Sequence, residues 1–294
     1  MATLYEEARA ALRESDFRPR KSRGQNFLIH ERVLDAIVRL LDLSAADEVL
    51  EVGPGLGFLT RRLLVQAGRV WAVEIDPLLV ERLRASALGA DPRLHLMRGD
   101  ILQAPLAEIF AGKKIKLAGN LPYNIATQVL FRIFEQREFF SSLVFMVQKE
   151  VADRIGAGPG AKDYGALSIL CQVHGQISGK VPVSPEAFFP RPKVRSTVLR
   201  LDLLPAPRIE RNRLAVLRRL VRAGFAQRRK TLGNALGAAS ARGRGAAENF
   251  LSAHEIDPRR RGETLSVKEF IRLAQAPEAE EFFPAEAAPA ADEL

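Results

Sequence analysis

Four consecutive residues near the middle of the chain, Asn120-Leu121-Pro122-Tyr123, combine hydrogen-bond acceptors with an aromatic ring. An adenine amino group is a weak nucleophile because its lone pair is delocalised into the base. Carbonyl oxygens, from the Asn120 side chain and the Leu121 backbone, could draw the amino hydrogens out of the ring plane and localise that lone pair. Pro122 restricts Leu121 to an extended conformation, and the Tyr123 ring offers a stacking surface for a base. The motif predicts catalytic residues for attack on a sulfonium methyl group, a reaction governed by positioning; the alternative is a plain turn with an aromatic anchor.

A glycine-rich segment, residues 51–57, lies between a predicted strand and a predicted helix. Glycines such as Gly53 and Gly55 let the backbone turn tightly and approach a ligand, and a helix N-terminus offers free amide donors. Phe58 stands where the nicotinamide-dinucleotide pattern G-x-G-x-x-G needs its last glycine. The loop therefore suits an amino-acid carboxylate and a ribose better than a pyrophosphate, although the glycines could also be purely structural. Glu74, at the end of the next predicted strand, could accept hydrogen bonds from both ribose hydroxyls.

The elements that would position these residues alternate between β-rich and amphipathic runs from about residue 25 to residue 201. Strands are predicted over residues 48–52, 69–75, 94–97, 115–119 and 143–148, and helices over residues 58–66, 77–87 and 127–135. Such alternation predicts an α/β fold with a parallel, doubly wound, Rossmann-like sheet. Two later β-rich runs, residues 180–183 and 196–201, predict a strand pair that is antiparallel at least in part.

Composition shifts predict four regions along the chain. Residues 1–20 are expected to form a flexible N-terminal arm, either helical or frayed. Residues 21–204 are expected to form the catalytic domain, residues 208–276 a basic helical domain and residues 277–294 a disordered acidic tail. The Pro-rich stretch at 204–207 is the predicted linker. In the basic domain, helices are predicted over residues 211–223, 227–236, 246–253 and 266–275, the last with a capping box from Ser266 to Glu269.

The charge of the chain is unevenly distributed. The net charge is +9 over 294 residues, and the segment 205–262 alone holds 14 basic and 4 acidic side chains, a net charge of +10. Such a block predicts a polyanionic partner, because each neutralised phosphate releases counterions; the alternative is a solvated helix face. The segment 277–294 holds six acids and no base.

Several classes of protein are disfavoured by composition. The single cysteine, Cys171, excludes an intramolecular disulfide and Cys-rich zinc sites. The four histidines show no ligand spacing, so no metal site is predicted. The N-terminus lacks an apolar signal core, and no apolar run is long enough to span a membrane. A cytoplasmic protein without membrane contact is therefore expected.

Motif blocks in order along the chain resemble the ribosomal RNA adenine N6-dimethyltransferase family, over roughly residues 20–275. The opening Gly24-Gln25-Asn26-Phe27-Leu28 matches the family's G-Q-N-F-L, and residues 188–196 match its closing F-x-P-x-P-x-V-x-S. Between them lie the blocks already described at 51–57 and 120–123, together with Glu74-Ile75-Asp76 and Gly99-Asp100. The bacterial small-subunit enzymes are the most similar group, and the resemblance implies their S-adenosylmethionine (SAM)-dependent methyltransferase fold.

The resemblance assigns roles residue by residue. The cofactor-binding positions it implies are Asn26, Leu28, Gly53, Gly55, Glu74, Ile75, Asp100 and Asn120. Asn26 and Leu28 would close over SAM, Gly53 and its neighbours would contact its methionine part, and Glu74 its ribose. Ile75 would pack on the cofactor adenine and Asp100 would accept from its amino group. Leu28 and Ile75 could equally be core residues, and Asp100 could act only as a helix N-cap before Ile101.

The target base would lie between two rings, and Asn120 would serve both the cofactor and the target amine. Tyr123 and Phe188 would sandwich the base. The neighbouring Phe189 remains an alternative, and Phe188 is favoured because it aligns with the family's motif.

The resemblance implies dimethylation of two adjacent adenosines near the 3′ end of 16S rRNA, within the 30S subunit or its precursor, by a monomer. One alternative is a 23S rRNA adenine methyltransferase of the macrolide-resistance type. Another is a non-catalytic ribosome assembly factor. A nicotinamide oxidoreductase is disfavoured by Phe58 and by the motif at 120–123.

Overall fold

Two compact units make up the chain in the computed structural model, which describes residues 2–14, 25–227 and 229–283. Unit 1 comprises Met1–Ala152 and Ile177–Leu203, and unit 2 comprises Asp153–Gln176 and Leu204–Leu294. The boundary near residue 204 lies at the predicted linker. The expected catalytic domain of residues 21–204 was wrong for residues 153–176, which belong to the helical unit.

Unit 1 is built on a seven-stranded sheet with the order β4-β3-β2-β5-β6-β9-β7, and a separate pair joins β1 to β8. The strands are β1 Phe27–Leu28, β2 Glu48–Val52, β3 Arg69–Glu74, β4 Leu94–Arg98, β5 Ile115–Asn120, β6 Phe140–Gln148, β7 Gly175–Val183, β8 Phe188–Phe189 and β9 Ser196–Leu203. Strands β4 to β6 in this order pair in parallel, whereas β9 is antiparallel to β6. The predicted α/β class is confirmed.

The sheet register brings the carboxyl ends of three strands together. Val52 at the end of β2 pairs with Val73 of β3 on one side and with Gly119 of β5 on the other. The strand order reverses here, because β3 follows β2 on one side and β5 lies on the other. Ligand sites of open α/β sheets form at such a switch point. The glycine loop, Glu74 and Asn120 therefore meet although they are distant in sequence.

The helices of unit 1 are α1 Leu4–Glu14, α2 Glu31–Leu41, α3 Phe58–Gln66, α4 Pro77–Ala85, α5 Leu106–Phe110 and α6 Ala126–Glu135, and α7 Lys149–Gly156 leads into unit 2. Helix α4 begins as expected from its sequence: Pro77 occupies the first turn, and the Asp76 side chain accepts from the amide of Leu78 at 3.1 Å. Helix α2, which the sequence analysis did not predict, buries one face against the sheet.

The first helix, α1, lies within residues 1–20, which were expected to form a flexible arm, either helical or frayed. Leu4, Ala8 and Ala11 are buried in α1. Their spacing of four and three residues places them on one stripe of a helix, which gives a short N-terminal segment a reason to be ordered. Residues 15–20 lie outside the described part of the chain.

Unit 2 is helical, with α8 Ala166–His174, α9 Leu214–Ala226, α10 Leu232–Ala239, α11 Gly243–Ala253, α12 Val267–Gln275 and α13 Ala279–Phe282. The predicted capping box of α12 is present, since Ser266 and Glu269 each bond the other's amide. The buried Tyr164 ring meets Phe225 edge-on at 5.9 Å, and Phe225 stacks on Phe270 at 5.8 Å. This aromatic packing explains why the segment before β7 belongs to unit 2.

The start of the acidic tail is ordered, so the expectation of disorder over residues 277–294 was wrong for residues 277–283. Phe282 and Phe283 are buried, and Phe282 stacks on Phe250 at 4.9 Å. The Glu280 carboxylate lies 3.1 Å from the Arg213 guanidinium. The two aromatic residues among the acids bury enough apolar area to hold this segment against the rest of the helical unit. Residues 284–294 lie outside the described part. No helix within the described ranges is long and apolar enough to cross a membrane.

Candidate functional site

One cavity of unit 1 opens at the carboxyl ends of β2, β3, β4 and β5. All eight predicted cofactor-binding residues line it: Asn26, Leu28, Gly53, Gly55, Glu74, Ile75, Asp100 and Asn120. They come from the N-terminal block, the glycine loop and the ends of three strands. The structure therefore brings together every position that the sequence analysis assigned to the cofactor.

The glycine loop adopts a backbone that glycine makes possible. Gly53 and Gly55 have φ angles of 68° and 58°, in the left-handed region that other residues rarely enter. A Cβ atom on Gly55 would lie 3.1 Å from two ring carbons of Phe27, whereas one on Gly53 would have no described neighbour within 4 Å. Gly55 thus accommodates the N-terminal strand, and Gly53 leaves its backbone accessible from the cavity.

Glu74 organises the loop around the cavity. Its Oε2 accepts from the Gly55 amide at 3.1 Å and its Oε1 accepts from the Asp76 amide at 2.9 Å. Burial raises the pKa of Glu74, and the two backbone amides oppose that shift. Because each carboxylate oxygen carries two lone pairs, both can accept a further hydrogen bond from a ligand hydroxyl.

Glu51 is a buried carboxyl group to which the sequence analysis gave no role. It lines the cavity, is 1% exposed and accepts from Thr60 Oγ1 at 2.6 Å. Burial, with the Glu74 charge nearby, raises its pKa to about 8. Its position at the end of β2, directly before the glycine loop, is the sequence feature that could have identified Glu51 as a cavity residue.

The cavity lining is acidic. The described residues that form it include the carboxyl groups of Glu51, Glu74 and Asp100 but no lysine, arginine or histidine. Because Glu51, with its pKa raised to about 8, keeps its proton at neutral pH, the acidic character of the lining comes from Glu74 and Asp100. A pyrophosphate would meet repulsion here without a compensating cation, whereas a ligand that carries positive charge would not. No cluster of metal-ligating side chains occurs within residues 2–14, 25–227 and 229–283.

Ile75 and Asp100 line the cavity after the ends of β3 and β4. Ile75 is 49% exposed, so it is not a core residue and can pack on a planar ligand group. Asp100 Oδ1 accepts from the Leu102 amide at 2.9 Å, but residues 101–103 form a turn and not a helix, so Asp100 closes an Asx turn and is not the helix N-cap that the sequence allowed. Leu28, in contrast, is buried in the core as well as lining the cavity.

The N-terminal block closes one side of the cavity. Gln25 Nε2 donates to Asp76 Oδ2 at 3.1 Å, and the Asn26 carbonyl accepts from Asn120 Nδ2 at 2.9 Å. Strand β1 is held by β8, with Leu28 opposite Phe188. Gln25 was missed by the sequence analysis, although it stands within the opening motif.

The two polar side-chain atoms of Asn120 differ in their hydrogen bonding. Its Nδ2 donates to Asn26, which orients the amide, and its Oδ1 is buried without a hydrogen-bond partner in the described structure. A buried acceptor without a donor costs about 1–3 kcal/mol. The turn that follows is held by the Leu121 amide donating to the Met146 carbonyl and by the Ile125 amide donating to Pro122, each at 3.1 Å.

The residues predicted to hold the target base are placed differently from one another. Pro122 lines the cavity, whereas Leu121, Tyr123 and Phe188 are not among its described lining residues. Tyr123 is half-buried, and its hydroxyl lies 2.6 Å from Ser196 Oγ. Phe188 is only 2% exposed and packs in the core, while Phe189 is partly exposed. Stacking of a base on Tyr123 and Phe188 stays a prediction.

The sequence matches known proteins over most of its length. Residues 16–277 match the family described as ribosomal RNA adenine dimethylase. The ribosomal RNA small subunit methyltransferase A of Syntrophotalea carbinolica is 47% identical over 88% of this chain and 96% of its own. Its counterpart in Geobacter sulfurreducens is 45% identical over 90% of this chain and 97% of its own.

Solved structures share the fold. A dimethyladenosine transferase from Plasmodium falciparum superposes with a TM-score of 0.67 at 24% identity, covering 83% of this chain and 94% of that one. The 23S rRNA methyltransferase ErmE superposes with a TM-score of 0.65 at 24% identity, covering 85% of this chain and 98% of that one. Identities of 24% show a shared fold alone. The family match over residues 16–277 and the relatives at 47% and 45% identity confirm the resemblance that was inferred from the motif blocks. The chain belongs to the ribosomal RNA adenine dimethylase family.

Proposed function

We propose that the chain transfers methyl groups from SAM to the N6 amino groups of two adjacent adenosines near the 3′ end of 16S rRNA. The observation that carries this proposal is the Asn120 side chain. Its Oδ1 is a buried acceptor without a described partner, at the end of β5 and in the wall of the acidic cavity. An incoming amino group would supply the donor that this oxygen lacks.

The residues that line the cavity fit SAM in three places. The open backbone at Gly53 suits the methionine part, the Glu74 oxygens suit the ribose hydroxyls, and exposed Ile75 with Asp100 suits the adenine. The acidic lining favours a cofactor that carries a sulfonium and an ammonium group over a dinucleotide. When bound, SAM supplies a methyl group that is activated for transfer.

The chain itself would contribute positioning. Asn120 Oδ1 and the Leu121 carbonyl would accept the two amine hydrogens, and Tyr123 would hold the base by stacking, with Phe188 as its proposed counterpart. Asn120 would also link the target to the cofactor, because its Nδ2 holds the carbonyl of Asn26. Orienting a reactant in this way can supply much of a rate enhancement without a strong general base.

The small ribosomal subunit is proposed as the substrate because the sequence relatives at 47% and 45% identity are small-subunit methyltransferases. The likeness to a 23S rRNA methyltransferase is at 24% identity and concerns the fold. Unit 2 contains the basic segment 205–262, which suits an RNA backbone. We further propose that the protein acts in the cytoplasm as a monomer, a state that light scattering would test.

Methyl transfer from labelled SAM would test the proposal on undermethylated 30S subunits, with 50S subunits and naked 16S rRNA in parallel. Mass spectrometry of the nucleosides should find N6,N6-dimethyladenosine in the 30S sample. Label in the 50S sample would instead favour the macrolide-resistance type. Intact SAM binding without transfer to any of the three would favour a non-catalytic assembly factor.

A further inference from the structure

Ser196 is a buried serine at the start of β9, where the closing motif block meets the central sheet. It is 1% exposed, and it pairs with Gln148 at the end of β6. The carbonyl of the preceding residue, Arg195, accepts from the Lys149 amide at 2.9 Å. Both contacts are to the end of β6 or to the residue directly after it, so the backbone that carries the Ser196 hydroxyl is held against that strand.

The Ser196 hydroxyl reaches across 73 residues of sequence to Tyr123. The two oxygens lie 2.6 Å apart, a normal distance for a hydrogen bond between hydroxyl groups. Tyr123 lies in the turn that follows β5, and its side chain is only partly buried. Rotation about χ1 of a tyrosine moves its hydroxyl oxygen, whereas rotation about χ2 leaves that oxygen in place, so a hydrogen bond at the hydroxyl restrains χ1 and with it the position of the ring.

We propose that Ser196 is a positioning residue, which fixes the position of the Tyr123 ring relative to Asn120 so that the target adenine stacks in register with the Asn120 side chain. This inference rests on the proposed function, because it assumes that Tyr123 stacks on the base. Ser196 does not itself touch the substrate; its hydroxyl acts through Tyr123. The closing F-x-P-x-P-x-V-x-S block thereby contributes to the site through its last residue as well as through its aromatic pair.

Replacing Ser196 by alanine should slow methyl transfer about threefold to tenfold, the range that corresponds to one neutral hydrogen bond. The loss should appear in kcat, while the dissociation constant of SAM stays unchanged. Ser196→Thr, which keeps a hydroxyl, should recover most of the rate. The matched control is Ser142→Ala in β6, because Ser142 is also buried in this sheet but its hydroxyl has no hydrogen-bond partner in the described structure.

A double-mutant cycle distinguishes positioning from general packing. Tyr123→Phe removes the other half of the same bond, so the double variant Ser196→Ala/Tyr123→Phe should be no slower than the slower single variant. The inference would be overturned if the rate losses of the two single variants multiplied in the double variant. It would also be overturned if Ser196→Ala transferred methyl groups at the same rate as Ser142→Ala. Tyr123→Ala separates this failure from that of the proposed function. If Tyr123→Ala slows transfer and Ser196→Ala does not, only the inference fails, whereas an unaffected Tyr123→Ala refutes the stacking role itself.

Discussion

Replacing Asn120 by alanine should remove catalysis while leaving the fold intact. The change deletes one hydrogen bond, from Nδ2 to the Asn26 carbonyl at 2.9 Å, which contributes about 0.5–1.5 kcal/mol. It also deletes the buried Oδ1, whose unmet demand for a donor costs about 1–3 kcal/mol. These terms oppose each other, so the free energy of unfolding should change by an amount between a loss of about 0.5 kcal/mol and a gain of about 2.5 kcal/mol.

Methyl transfer should respond much more strongly. Removing a preorganised group that acts on the reacting atoms commonly lowers kcat by about 10²–10³. The SAM dissociation constant should rise by less than about tenfold, since only the bond to the N-terminal block is lost. Single-turnover transfer, SAM titration and thermal unfolding would be measured together for each variant.

The control is Asn124→Ala, which makes the same chemical change at an exposed position of the same turn. It should match the wild-type protein in all three measurements. Asn120→Ala that keeps its rate within tenfold of wild type would refute the assignment of the amine acceptor. A loss of several kcal/mol of stability would instead show that Asn120 serves the fold.

Three other changes test the rest of the cavity. Gly55→Ala should lower stability by about 1–2 kcal/mol and weaken SAM binding, because its φ is 58° and the new Cβ meets Phe27; wild-type unfolding would contradict that contact. Glu74→Ala should raise the SAM dissociation constant at least tenfold, because the carboxylate loses the hydrogen bonds from two backbone amides together with the proposed ribose contact. An unchanged dissociation constant would refute the ribose assignment. The third change concerns Glu51, whose pKa is raised from 4.5 to about 8. The folded protein keeps this proton while the unfolded chain releases it, so stability should fall as pH rises from about 4.5 to 8. Glu51→Gln should flatten that dependence in thermal unfolding across pH, and an unaltered slope would mean that Glu51 is not buried as described.

Local patterns were sufficient where an element is defined by its own residues. The strand Glu48–Val52 and the helix Phe58–Gln66 have the bounds predicted for them. Apolar periodicity and the glycines between them are properties of neighbouring positions, which can be read without knowing what packs against them. The capping box at Ser266 is of the same kind.

Local patterns failed where packing with distant residues decides the outcome. Residues 153–176 lie between strands of unit 1 in sequence, yet Tyr164 is buried against Phe225 of the helical unit. The tail reads as acidic and polar, but Phe282 stacks on Phe250. In both cases one or two aromatic residues outweigh the composition of the segment around them, because they bury more apolar area than several small residues.

The chemistry of this protein was determined by its sequence, and the arrangement of that chemistry by its tertiary structure. The motif at 120–123, the glycine loop and Glu74 already indicated an amine, a backbone cradle and a ribose acceptor. Only the fold showed that Asn120 Nδ2 donates to a carbonyl 94 residues earlier, and that Asn120 Oδ1 has no hydrogen-bond partner among the described residues. Only the fold brought Ser196 to the Tyr123 hydroxyl. The register of β5, β6 and β9 brings Ser196 to Tyr123, and register depends on the whole sheet rather than on any one segment.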